Sequence, residues 1–100
     1  MGNSVSVARV GIGMPVYNGE RYLEETLIAT LAQTYEDFEL IIADNASTDK
    51  TEQICRDFAA QDSRIRYIRN AVNLGASKNY TVCLEPSRSE YFRWANADDL

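Results

Sequence analysis

Apolar and polar positions along the chain switch repeatedly between a strand-like and a helix-like period. Residues 7–15 form an apolar run closed by Pro15, which predicts a first strand. Between Gly19 and Gln33 the inward candidates are Tyr22, Leu23, Thr26, Leu27, Thr30 and Leu31. That is the stripe of an amphipathic helix. Phe38 to Ala43 is a continuous, β-branched run, as expected of a central strand. Asp44 to Thr48 supplies turn and cap chemistry. A second helix is predicted from Ser47 or Thr48 to about Gln61, with Ile54, Cys55, Phe58 and Ala59 facing inward. Arg64 to Arg69 alternates with period two and reads as a half-exposed edge strand. A loop over 70–74, a third helix from about Gly75 to Leu84 and a fourth strand over Tyr91–Ala95 complete the pattern, with Pro86 beyond the third helix.

The order β-α-β-α-β-α-β contains no linker, repeat or low-complexity segment. Strict alternation with short loops predicts an α/β fold: a three-layer α/β/α arrangement around a mostly parallel, Rossmann-like sheet. The expected strand order is 3-2-1-4, so the order reverses between the first and fourth strands. Ligands bind at the carboxyl ends of strands beside such a switch point. Three polar segments fall at those ends: Tyr17-Asn18, Asp44-Asn45 and Asn96-Ala97-Asp98-Asp99.

The chain of 100 residues has room for one small domain, expected over 8–100 behind a disordered start at 1–7. A net charge of −5 with no basic run argues against a nucleic-acid surface and requires a metal or a local Arg or Lys beside any phosphate. Cys55 and Cys83 fall in helical patterns without metal-ligand spacing, and the chain has no His. Buried free thiols in a reducing, cytoplasmic compartment are the expectation, and zinc is not. The first residues lack a signal-peptide pattern; Gly2 with Ser6 fits an N-myristoylation pattern, to which the short motif gives little weight. No apolar stretch approaches the about 18 residues of a membrane span.

Asp98 and Asp99 follow an apolar strand, where two adjacent carboxylates are costly to bury without a cation. A hard divalent ion, Mg²⁺ or Mn²⁺, bridging to a diphosphate explains the pair better than helix capping, which needs only one of them. Asp44, first past a central strand, can accept an N–H from a base edge such as uracil N3–H, although a plain turn also explains it. Pro15, Val16, Tyr17 and Asn18 are candidates for a nucleoside loop, with the Tyr17 ring stacking on a base. Lys78 and Asn79, early in the third helix, are expected to point toward the ligand end, where Lys78 would offset diphosphate charge. Asp49 is assigned to the helix macrodipole, and Arg64, Arg66 and Arg69 to a solvated face. Gly11 and Gly13 lie inside a strand and lack a third glycine, so close packing is preferred over a dinucleotide site.

Four segments, in order, carry a resemblance: residues 14–18 (MPVYN), 33–42 (QTYEDFELII), 44–51 (DNASTDKT) and 73–79 (NLGASKN), followed by the acidic motif. Together they resemble the nucleotide-sugar-binding half of family 2 glycosyltransferases, of the GT-A fold, over residues 8–100. The resemblance implies an inverting transfer from a UDP-, GDP- or dTDP-sugar, with a UDP-sugar foremost, to a hydroxyl acceptor in cell-surface polysaccharide or glycan synthesis. It matches the family's base-binding aspartate to Asp44 and its nucleoside loop to Pro15–Asn18. The metal-binding DxD motif falls on Asn96-Ala97-Asp98, with Asp98 as the metal ligand. Asn96 stands where an aspartate is usual; it keeps a hydrogen bond for ribose but removes one negative charge from the metal site. The family's general base is expected beyond Leu100, so no catalytic residue is assigned, and the chain is expected to be part of a longer enzyme, inactive alone. General-base chemistry requires such a group within hydrogen-bond reach. Attachment to a membrane through the rest of the parent stays open, and self-association through an exposed fourth-strand edge is expected. A non-catalytic nucleotide-binding or interaction module is the competing reading. A nucleotidyltransferase is disfavoured, because Glu20 stands where such an enzyme needs basic residues.

Overall fold

Strand β2 (Phe38–Asp44) is buried over nearly its whole length, and the other elements are arranged around it. The computed structural model describes residues 10–33, 37–87 and 91–95. In chain order the remaining elements are β1 (Val10–Val16), α1 (Leu23–Gln33), α2 (Thr51–Gln61), β3 (Ile65–Arg69), α3 (Ala76–Leu84) and β4 (Tyr91–Trp94). The strands form one four-stranded sheet in the order β3-β2-β1-β4, and every pairing is parallel. This is the predicted topology. β1 and β2 are central and apolar, while β3 and β4 form the half-exposed edges.

The alternation along β1 and β2 sorts the side chains onto two faces. Ile12, Met14, Val16, Leu40 and Ile42 join Leu23, Leu27 and Cys55 in the core beneath α1 and α2. Ile41 and Ala43 pack with Cys83 of α3 on the opposite face. Gly11 and Gly13 fall on this second face by the same alternation. A Cβ on Gly13 would lie 2.7 Å from Phe92 Cζ and 2.8 Å from Trp94 Cζ3, so the close packing read from the sequence has a named cause. Phe92, Trp94 and Tyr80 stack edge to face in the space so created. Both cysteines are free and buried. Burial pushes the Cys55 thiol up to about 12 and Cys83 to about 11.

The departures from the predicted bounds have local causes. Pro15 lies inside β1 rather than ending it, paired with Ala43. Ala95 N–H donates to the Gly13 carbonyl, so this parity of β1 faces β4. Pro15 lies past the β4 pairing, where a missing N–H costs no ladder bond. Helix α1 starts at Leu23 because Gly19 to Tyr22 forms a turn, whose carbonyl at Gly19 accepts from Tyr22 and Leu23. Tyr22 is therefore exposed rather than inward. Helix α2 starts at Thr51 because Ser47 and Thr48 are engaged with the β1–α1 loop. The predicted strand over residues 7–9 lies outside the described residues, as does the predicted disordered start.

Candidate functional site

The loops after β1 and β2 are laced together by side-chain bonds. Asn18 N–H donates to Ser47 Oγ at 2.8 Å, and Thr48 N–H donates to Asn18 Oδ1 at 2.8 Å. Asn18 holds φ at +50°, a left-handed conformation that asparagine tolerates better than most residues. Gly19 N–H donates to Thr51 Oγ1, Glu20 N–H to Asp49 Oδ2 and Lys50 N–H to Glu20 Oε1. Asp49 also accepts Thr51 N–H at the start of α2. Burial acts to raise the Asp49 pKa, but the hydrogen bonds from Thr51 and Glu20 outweigh it and hold the carboxyl below its usual value.

Asp44 and Asn45 leave the end of β2 in different surroundings. Asp44 is fully buried. Its Oδ1 accepts Ser47 N–H at 2.9 Å, and its Oδ2 accepts the Tyr67 hydroxyl at 2.5 Å and Arg69 Nη1 at 3.1 Å. Arg69 also donates to the Ser47 carbonyl and lies 3.8 Å from Glu52, which pairs with Arg56. Burial and the Asp44 carboxylate both push the Tyr67 hydroxyl pKa upward. Arg69 is exposed, as assigned, and is also ion-paired to Asp44. Its register partner on β2 is Asp44, a relation visible only once the strands are paired. Arg64 is likewise engaged, in a two-point ion pair with Asp62, with its guanidinium 4.3 Å from the centroid of the Phe38 ring.

On the other side lies a cleft of about 450 Å³, lined by Pro15, Val16 and Tyr17 on one wall, by Asn45, and by Asn73, Gly75, Ala76, Asn79 and Tyr80 on the other. It opens at the carboxyl ends of β1 and β2, beside the switch point. Pro15, Val16 and Tyr17 line it, and Tyr17 is exposed. Asn18 braces the loop from outside. Asp44 is not among the lining residues; its carboxylate is buried and occupied by Ser47, Tyr67 and Arg69. Lys78 is exposed and also outside the lining, whereas its neighbour Asn79 is buried and within it. Asn96, Asp98 and Asp99 lie outside the described residues. Among the described residues no cluster of acidic, Cys or His side chains could hold a metal ion. Asn73 and Tyr80 line the cleft and were not among the candidates read from the sequence. The density of asparagines over 70–79 was the available signal.

The family model for glycosyl transferase family 2 matches residues 11–100. The chain belongs to this family. EpsE of Bacillus subtilis (strain 168), named as a glycosyltransferase, is 41% identical over 93 residues, covering 92% of this chain and 34% of its own length. Glycosyltransferase GlyG of Streptococcus pneumoniae serotype 4 is 32% identical over 91 residues, covering 91% and 30%. The chain therefore spans about a third of the length of such relatives. Among solved structures, S. aureus TarS 1-349 in complex with UDP superposes with a TM-score of 0.82 at 26% identity, over 90% of this chain and 27% of that one. The mannosyltransferase PcManGT from Pyrobaculum calidifontis, in complex with GDP-Man and Mn²⁺, gives 0.82 at 25% identity, over 92% and 28%. The GT-A arrangement expected from the motifs is thus the fold of this family 2 chain.

Proposed function

We propose that this family 2 chain binds the nucleotide-diphosphate sugar of an inverting, metal-dependent glycosyl transfer to a hydroxyl acceptor, in cell-surface polysaccharide or glycan synthesis. The observation that carries the reading is the cleft at the carboxyl ends of β1 and β2, walled by the Pro15–Tyr17 loop and the start of α3. Its position beside the switch point is where such sheets bind ligands, and the UDP and GDP-Man complexes of TarS and PcManGT support the ligand class. The nucleoside meets Pro15, Val16 and Tyr17. Base reading falls to the Asp44–Arg69 end, where the partly exposed guanidinium is the reachable group. Lys78 serves the phosphates and Asn96 the ribose. Asp98 and Asp99 are the proposed ligands of Mg²⁺ or Mn²⁺, as hard oxygen donors suit either ion. The ion would offset diphosphate charge in a protein of net charge −5. The general base and the acceptor site belong to the remainder of a longer enzyme. Buried free thiols suit a reducing, cytoplasmic setting.

Calorimetric titration of UDP, GDP and dTDP, with and without Mn²⁺, tests the reading. Binding of at least one nucleotide, strengthened by Mn²⁺ and losing that gain in Asp98→Ala, is expected. Absence of binding to all three overturns the function, and an unchanged metal effect in Asp98→Ala overturns the metal assignment.

A further inference from the structure

Tyr17 lines the cleft and is 52% exposed, yet its backbone is held on both sides. The Val16 carbonyl, in the peptide plane before it, accepts Asn45 N–H at 2.9 Å. The Asn18 N–H, in the plane after it, donates to Ser47 Oγ at 2.8 Å. A peptide unit is planar, so two held planes set φ and ψ at the Cα between them. The loop after β2 thereby sets the direction in which the Tyr17 side chain leaves the backbone. Of the two holds, only the second depends on a side chain.

Ser47 is itself buried and held from three directions. Its N–H donates to Asp44 Oδ1 at 2.9 Å, its carbonyl accepts Arg69 Nη2 at 3.0 Å, and its Oγ accepts Asn18 N–H. Thr48 N–H returns a bond to Asn18 Oδ1 at 2.8 Å. Ala46, just before Ser47, holds φ at +63°, a left-handed conformation that is costly for a residue with a Cβ. Such strain persists only where the surroundings over-determine it, and the bonds around Ser47 do so. Ser47 does not line the cleft.

We propose that Ser47 is a positioning residue for nucleotide binding: it carries the rigidity of the buried Asp44–Arg69 pair to Tyr17 and fixes the direction from which Tyr17 meets the base. The proposal rests on the function proposed above, in which Tyr17 meets the nucleoside, and adds a residue outside the cleft on which affinity depends. A loop ordered before binding has less freedom to lose when the ligand arrives.

A double-mutant cycle separates positioning from general stability. Its readout is the calorimetric affinity for UDP, or for GDP where the wild type prefers it. Ser47→Ala keeps the backbone bonds of Ser47 to Asp44 and Arg69 and removes only Oγ. It is expected to weaken nucleotide binding about fivefold, the scale of one neutral hydrogen bond. In the Tyr17→Ala background the same substitution should change the affinity by less than about twofold, because no ring is left to position. Thr51→Val is the control. It removes the hydroxyl that accepts Gly19 N–H, a neighbouring bond between the same two loops, and should lower the melting temperature without changing the affinity. Unchanged affinity in Ser47→Ala, an equal loss in both backgrounds, or an equal loss in Thr51→Val overturns the proposal while leaving nucleotide binding intact. Hydrogen exchange of the wild type checks it without any variant. The Asn18 amide should exchange about tenfold or more slower than an unprotected loop amide, and exchange at the free rate overturns the proposal. Tyr17→Ala without effect on affinity overturns the nucleoside assignment of Tyr17 and this inference with it. Failure of the wild type to bind any nucleoside diphosphate overturns the proposed function as well.

Discussion

Asp44 and Asn45 are consecutive residues at one strand end, yet they organise two different kinds of polar site. Asp44 closes a charged cluster: a buried carboxylate satisfied by Ser47 N–H, the Tyr67 hydroxyl and Arg69. Asn45 belongs to an uncharged relay whose far side opens onto the cleft. In the charged cluster the carboxylate finds its donors within the protein. The amide relay runs from the Ala43 carbonyl through Asn79, Asn70 and Asn45 to Asn73. Burial makes both strict, since an unmade bond to a buried group loses its full desolvation cost. Only the second lines the cleft.

The sharpest way to break this comparison is at Asp44. Asp44→Ala leaves Arg69 and Tyr67 without their acceptor. Removing one member of a buried pair costs about 3–5 kcal/mol. Arg69 keeps partial access to water, so a loss toward the lower end is expected in denaturant unfolding. A loss smaller than that of the next variant would mean that the amide relay, not the charged cluster, holds the strand end. Asn79→Leu keeps the branched outline but removes a donor from the Ala43 carbonyl and strands one Asn70 hydrogen; about 2 kcal/mol is expected. Its melting curve separates this from a solvated, dispensable amide, which would change little. Tyr67→Phe should have the smallest effect, about 1 kcal/mol, because Asp44 retains Ser47 and Arg69. A loss as large as that of Asp44→Ala would assign the cluster's stability to the hydroxyl rather than to the ion pair.

Much of the fold was legible from pattern alone. The period-two and helical runs located β2, α2 and β3 to within a few residues, and strict alternation implied the parallel order β3-β2-β1-β4. The misplaced helix starts, at Leu23 and Thr51, share a cause. Each preceding loop is held by bonds to the other, such as Asn18 with Thr48 and Glu20 with Lys50, which local sequence does not encode. The site was legible in part. That Pro15, Val16 and Tyr17 line a cleft was legible because a strand tip facing a switch point is a topological position. The Arg69–Asp44 pair was not legible, because only the register places the two side by side.

The sequence by itself determined the elements, their order and the end of the sheet where ligands meet the protein. These follow from periodicity and connectivity, which are properties of short stretches and of chain order. It also determined the family, through motifs spread over most of the chain. The tertiary structure alone decided that Asp44 is enclosed while Asn45 reaches the cleft, and that Asn70 and Asn79, nine residues apart, share a hydrogen bond. It also decided that Gly13 makes room for Phe92 and Trp94. Those outcomes depend on which face each side chain takes and on what the neighbouring strand and helix place against it. They are relations between distant residues, and burial gives them their energy.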